Sequence, residues 1–242
     1  MDLTVAQRHR KVWNRKPTLR RIYRSYFRQI LHMCSRYRPI VEIGSGPGMF
    51  RECYPEVIAT DIGPSEWTSV VCDGCRLPFR DRSIGNVVLI DVFHHLGDPM
   101  GMLSGAARAL RPGGRIVMLE PWTSALGYLF YRYVHHESAD YRIDVERPFP
   151  EGKDVLDGNA VLPRVYFDAC RKNEDPLKEI GLCVRRVQPL SAVNWLLTGG
   201  FQSYGVRSRV SATWLDALDA IFRPFSSWMG LRAFIVIEKS VR

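Results

Sequence analysis

The chain has no run of 18 or more apolar residues among its 242 positions, so no segment reads as a membrane-spanning helix. Its longest uncharged stretch, residues 187–206, is interrupted by Gln188, Ser191, Asn194, Thr198, a proline and three glycines. The first 15 residues lack the apolar core of a secretory leader. Cysteine is sparse, at positions 34, 53, 72, 75, 170 and 183, with no paired framework, which fits a reducing, cytoplasmic setting. Cys72-Asp-Gly-Cys75 has C-x-x-C spacing, but no second such pair or H-x-H cluster offers zinc its remaining ligands. The expectation is two small residues beside a loop and no metal.

Acid is nearly missing from the N-terminus. Residues 1–38 hold 11 Lys and Arg against Asp2 alone, a net of +10, while the other 204 residues hold 23 basic and 24 acidic side chains. The basic excess is therefore a property of an N-terminal arm. Within it Leu19, Ile22, Tyr23, Tyr26, Phe27, Ile30 and Cys34 recur at helical spacing, with Arg20, Arg21, Arg24 and Arg28 largely on other faces. Pro17 and Thr18 stand where this helix begins. Such a helix packs its stripe on the core and turns its arginines to solvent, to a phosphate on a substrate, to an anionic lipid surface or to nucleic acid.

The most informative stretch is residues 41–50, Val-Glu-Ile-Gly-Ser-Gly-Pro-Gly-Met-Phe. An apolar strand runs into glycines at 44, 46 and 48 and then into a helix, so the backbone can turn tightly and approach a nucleotide-like ligand at the strand's carboxyl end. The third glycine comes one residue earlier than in the dinucleotide fingerprint G-x-G-x-x-G. Glu42 lies inside the strand, where a carboxylate is costly without a partner. A tight turn with no ligand is the alternative. The strand-like residues 56–61 end on Asp61, 17 residues after Gly44, and residues 69–72 end on Asp73 and Gly74. Three acids, each at the end or edge of successive strands, set this apart from a simple turn.

Residues 84–91 form a buried-looking strand ending on Asp91, followed by His94 and His95; a helix over 99–110, a stop at Arg111-Pro-Gly-Gly114 and a fifth strand over 115–121 follow. The glycine loop, Leu-Pro-Phe at 77–79, Val-Phe-His-His-Leu at 92–96 and Ala-Leu-Arg-Pro-Gly-Gly at 109–114 resemble the blocks of class I S-adenosylmethionine-dependent methyltransferases, of the type related to ubiquinone and menaquinone biosynthesis enzymes. The resemblance covers residues 39–120. It implies an α/β, Rossmann-like seven-stranded sheet, its last strand antiparallel, flanked by helices. The implied cofactor is S-adenosyl-L-methionine, leaving as S-adenosyl-L-homocysteine. Its implied contacts are Glu42 at the methionine end, the loop residues Gly44, Ser45, Gly46 and Gly48, Asp61 with Ile62 at the ribose, Cys72, Asp73 and Gly74 at the adenine, and Asp91.

Strands at 182–190 and 232–239 would complete the sheet, with substrate-side insertions after strands 5 and 6. The first, 123–163, starts helical and aromatic, carries His135 and His136, and becomes polar from Glu137 through Lys153. The second, 191–230, carries Val210, Trp214, Leu218, Ile221, Phe222 and Phe225 at helical spacing, a stripe that ordinarily packs on a core. The chain thus reads as one methyltransferase domain: arm, cofactor core and two lids. A small, amphiphilic or lipid-linked acceptor is expected, oxygen before carbon, with His94, His95 and His135 as candidate bases. Peripheral contact with an anionic membrane through the arm is a partner reading. The alternatives are a tRNA methyltransferase guided by the arginines, with nucleic acid the less favoured partner, and an inactive cofactor-binding scaffold. No Asn-Pro-Pro-Tyr tetrad points to amino-methylation, and no trio of metal-binding carboxylates and amide is evident, Asp91 alone standing as an open ligand.

Overall fold

β-Branched and aliphatic residues concentrate in seven segments, and these are the strands: β1 Ile40–Ile43, β2 Ile58–Asp61, β3 Val70–Val71, β4 Ile84–Ile90, β5 Leu110–Pro121, β6 Leu182–Leu190 and β7 Arg232–Lys239. The computed structural model describes all residues except 1, 2, 136, 137, 151, 153, 155, 156, 171–175, 203, 204, 206–209 and 242. One sheet has the order β3-β2-β1-β4-β5-β7-β6. β1 to β5 are parallel, and β7 is antiparallel to both β5 and β6. This is the class I methyltransferase sheet, as expected from the sequence. The chain reverses across the sheet between β1 and β4, so the carboxyl ends of these strands open onto a crevice.

Alternation along the strands feeds two cores. Val87, Leu89, Ile116, Met118, Ile235 and Ile237 face one side, and Val88, Val117, Leu119, Phe234 and Val236 the other. On the first side lie helices α4 (Pro99–Ala109) and α6 (Leu162–Cys170), with the short α7 (Pro176–Glu179) beside β6. On the second lie α1 (Leu3–Arg15), α2 (Pro17–Met33) and α3 (Met49–Cys53). Pro17 occupies the first turn of α2, where its missing N–H costs nothing. The predicted stripe of α2 is its buried face: Leu19, Ile22, Tyr23, Tyr26, Phe27 and Ile30 sit in the second core. Cys34 is only half-buried, because it caps the helix instead of continuing it.

The boundary between α4 and β5 differs from the sequence reading. Leu110 already begins β5, and the expected stop at 111–114 is a bulge inside that strand: the six residues from Leu110 to Arg115 face the three from Ile84 to Asn86. Asp98 caps α4 by accepting from Gly101 N at 2.7 Å. The N-terminal arm is also not a simple extension. Residues 3–15 form a helix whose Ala6, Trp13 and, at its end, Lys16 are buried.

The two insertions supply α5 (Ala125–Tyr133) and, after β6, α8 (Val193–Leu197), α9 (Val210–Phe222) and α10 (Ser226–Met229). The α9 stripe does not pack on the core. Trp214, Leu218, Ile221 and Phe225 are exposed, and Phe222 is half-buried. The helix is turned by its acids: Asp219 accepts from Ser191 Oγ at 2.7 Å and Val193 N at 3.0 Å, and Asp216 meets Arg21 at 2.7 Å, so the polar edge and Leu215 face inward. The Val210 side chain, His136, Glu137 and Lys153 lie outside what is described.

Candidate functional site

A cavity of about 850 Å³ opens at the carboxyl ends of β1, β2 and β4. One wall is the glycine loop. Gly44, Gly46 and Gly48 all take left-handed φ angles, +67°, +49° and +65°. A Cβ on Gly44 would stand 2.6 Å from Val92 Cγ2, and one on Gly48 2.7 Å from Trp67 Cβ. The loop is tied down as Ser45 N donates to Thr60 O at 2.8 Å and Gly46 N donates to Asp61 Oδ2, also at 2.8 Å.

Glu42 is 4% exposed and its Oε2 has no hydrogen-bond partner. Burial, helped by the nearby Asp61 charge, pushes its carboxyl up to about 8. Such a group fits a ligand cation: an ammonium beside it would supply both the missing hydrogen bond and the compensating charge. Ser45 Oγ is likewise buried without a partner. Asp61, Ile62, Cys72, Asp73 and Gly74 continue the same wall. Ile62 is about half exposed, an apolar surface at the end of β2. Asp73 Oδ1 accepts from Cys75 N at 2.9 Å, which fixes the turn. Burial raises both neighbouring thiols, Cys75 to about 11, so they line the wall as neutral groups. The predicted cofactor residues Glu42, Gly44, Ser45, Gly46, Asp61, Ile62, Cys72, Asp73, Gly74 and Asp91 therefore line one cavity, and Gly48 shapes the turn behind it.

Behind the far wall formed by Tyr23, Asp91 and Trp195 lies an arginine that the sequence reading did not single out. Arg232, first in β7, is 1% exposed. It pairs with Asp91, donates to Tyr23 Oη at 3.1 Å, and is enclosed by the rings of Tyr23, Tyr26 and Trp195 at 5.2 to 5.6 Å. Burial opposes the guanidinium charge, but Asp91 and the tyrosines outweigh it and hold the group protonated. Burial also lifts the Tyr23 phenol to about 12, so its hydroxyl remains a donor and reaches Asp91 Oδ2 at 3.3 Å. Asp91 itself has φ +57°, a strained position for a non-glycine residue at the end of a strand. An arginine opening an otherwise apolar strand was the available signal for this cluster.

The three histidines separate. His94 is buried, its Nδ1 2.7 Å from Oε2 of Glu120, while Glu120 Oε1 accepts from Val92 N and Phe93 N at 2.9 and 2.8 Å. Glu120 is fully buried at the end of β5, and the pair pins the turn that carries Val92 against Gly44. His95 and His135 are half-buried at the cavity; His95 Nδ1 lies 3.1 Å from Asp157 O, and His135 packs on Phe130 and Tyr131.

The roof comes from both chain ends of the fold. Buried Lys16 donates to Thr198 O at 2.6 Å and Gly200 O at 3.1 Å, joining the α1–α2 corner to the turn after α8. His9 stacks on Phe201 at 4.8 Å, and Tyr23 lies 5.5 Å from the same ring. Val5, Arg8, His9, Tyr23 and Phe27 face the cavity from the arm, and Phe130, Tyr131, Val134, Trp195 and Leu196 from the insertions.

Residues 41–118 match the family model described as a methyltransferase domain. No curated protein matches the chain. Among solved structures, it is similar to a SAM-dependent methyltransferase from Archaeoglobus fulgidus, with 18% identity, a TM-score of 0.55, and 91% of this chain and 94% of that one covered. It is similar, at 14% identity and a TM-score of 0.55, to a chain of the Haloferax volcanii complex between the Trm112 methyltransferase activator and a methyltransferase, over 99% of this chain and 95% of that one. A geranyl diphosphate C-methyltransferase from Streptomyces coelicolor, solved with geranyl diphosphate and S-adenosyl-L-homocysteine, has 11% identity and a TM-score of 0.54, covering 91% and 78%. The glycine loop, the strand-end acids and the sheet order thus belong together: the chain carries a methyltransferase domain on the class I S-adenosylmethionine-dependent methyltransferase fold.

Proposed function

We propose that the protein is an S-adenosylmethionine-dependent methyltransferase acting on a small or amphiphilic acceptor, oxygen first and carbon second. The observation that carries this is Glu42: a buried carboxylate with an orphaned oxygen, in the same cavity as a glycine loop whose backbone lies open. Bound there, the cofactor supplies an electrophilic methyl group on a sulfonium. Glu42 and the loop would hold its amino acid end, Asp61 and Ile62 its ribose, and Cys72, Asp73 and Gly74 its adenine. Asp91, steadied by Arg232 and Tyr23, forms the wall beside the reacting end.

In-line displacement gains most from positioning, so a dry, shaped cavity is the main contribution of the chain. The aromatic walls from α2, α5 and α8 suit the apolar body of an acceptor, and the geranyl diphosphate enzyme shows this fold serving an isoprenoid in that protein. His94 is a positioning residue, held by Glu120. His95 and His135, which face the cavity from its half-exposed side, are the residues placed to accept a proton from a hydroxyl acceptor. RNA methylation is less well supported, because Arg21 and Arg24 of the expected phosphate guide are engaged by Asp216 and Glu52.

Calorimetric titration should show binding of S-adenosylmethionine and none of NAD; the reverse would sink the reading. Incubation with labelled cofactor and separate pools of small polar, lipid-extractable and RNA acceptors should move label into the lipid-extractable or small pool. Label in RNA would select the second reading, and cofactor binding without transfer to any pool would make the chain a scaffold.

A further inference from the structure

The two insertions present an apolar surface that none of the described residues covers. On α9 and the turn after it, Trp214, Leu218, Ile221 and Phe225 recur on one face, continued by Trp228 of α10; Trp214 is 74% and Trp228 59% exposed. On α5, Leu126, Leu129 and Tyr133 form a second outward row, opposite the buried Gly127 and Tyr131, and Val134 prolongs it. The rows meet because α10 packs on α5: Tyr131 Oη donates to Leu231 O at 2.8 Å, and a Cβ on Gly127 would stand 2.5 Å from Gly230 O. A patch of nine large apolar side chains drawn from three helices is far beyond scattered surface hydrophobes. Val134 belongs both to this patch and to the lining of the cavity, so the patch borders the mouth.

We infer that this face docks onto an anionic lipid bilayer, with the cavity mouth turned toward the lipid. Three observations select a bilayer over a second copy of the chain. First, the two acids of α9 are spent on neighbouring elements, Asp219 on Ser191 and Val193 and Asp216 on Asn194 and, at the surface, Arg21, leaving the opposite face apolar. Second, tryptophan and tyrosine alternate there with the exposed Arg132 and Arg223, the amphipathic mixture that settles at the headgroup level. Third, charge complementarity favours anionic lipid. α5 carries no acid, and the arm adds exposed Arg8, Lys11, Arg15 and Arg28; a second copy would set arginine against arginine, whereas phosphate headgroups complement them. The inference deepens the proposed function only in giving an amphiphilic acceptor a route from bilayer to cavity.

Vesicle flotation tests the docking without turnover. The protein should float with phosphatidylcholine–phosphatidylglycerol vesicles at least about tenfold better than with phosphatidylcholine alone, and Trp214→Gln/Phe225→Gln/Trp228→Gln should cost about tenfold or more. Its calorimetric affinity for S-adenosylmethionine should be unchanged, because those three side chains point away from the cavity. Brominated acyl chains should quench the tryptophan emission of the unmodified protein, which reads the same contact without any substitution. Failure to float with anionic vesicles, flotation of the triple variant equal to the unmodified protein, or a dimer that the triple variant dissolves in the absence of vesicles would each overturn the inference. Loss of cofactor binding or of transfer with intact flotation would instead count against the proposed function alone.

Discussion

Glu42 shows how one side chain ties stability, pH and ligand together. Its carboxyl is raised to about 8 in the fold against 4.5 in an unfolded chain, so between those values the folded protein holds a proton that the unfolded chain has lost. Apo stability should therefore fall as pH rises through that window and level off above it, by on the order of 5 kcal/mol in all. A bound ammonium reverses the preference and expels the proton. Cofactor binding near neutral pH should release protons, seen as a calorimetric heat that varies with the buffer's ionisation enthalpy. Glu42→Gln should flatten the pH dependence of thermal unfolding, abolish the proton release and weaken binding by about tenfold to a hundredfold. Release that persists in Glu42→Gln would assign the proton elsewhere. At Gly44 the limit is steric. With φ +67° and Val92 Cγ2 2.6 Å from the position of a Cβ, Gly44→Ala should lose about 2 kcal/mol of stability and most cofactor affinity, while Gly152→Ala, where a Cβ meets nothing, should lose only the cost of its φ.

At the scale of elements, Lys16 is the joint. Its ammonium is buried and bonded to two carbonyls at the end of α8, more than 180 residues away, so α1, α2 and the second insertion form one roof. Lys16→Met keeps the stem and deletes the charge, leaving the Thr198 and Gly200 carbonyls unsatisfied; about 2 kcal/mol should be lost in thermal unfolding, with faster amide exchange across 198–202. The strands and the cofactor wall were legible beforehand because their determinants are local: apolar runs, glycines without a Cβ, and acids at strand ends. The cluster around Arg232 was not, since a buried arginine is explained only by Asp91, Tyr23 and Trp195, each brought in from another element. The orientation of α9 was hidden for the same reason. Its sequence shows that one face is apolar, but Asp216 and Asp219 acquire their inward partners, Arg21 and Ser191, only through the fold.

For the whole molecule, the cavity is closed by segments from opposite ends of the chain, which makes cofactor binding a test of its architecture. The floor, β1, β2 and β4 with their loops, is part of the packed sheet and should already be protected from exchange. The roof is different. α1 contributes Val5, Arg8 and His9, and residues 199–202 contribute Gly199, Gly200, Phe201 and Gln202, joined across the opening by the stacked His9–Phe201 pair and by Lys16. A ligand that fills the cavity contacts both segments, so saturating S-adenosyl-L-homocysteine should slow amide exchange in α1 and in 198–202 together. The exposed outer row of α9 should not change, because it faces away from the cavity. Phe201→Ala removes the ring that α1 and α2 share, and should uncouple the response: 198–202 would still slow on binding, and α1 would slow by about tenfold less. Protection of α1 undiminished in Phe201→Ala, or of neither segment in the unmodified protein, would show that the arm is not part of the roof.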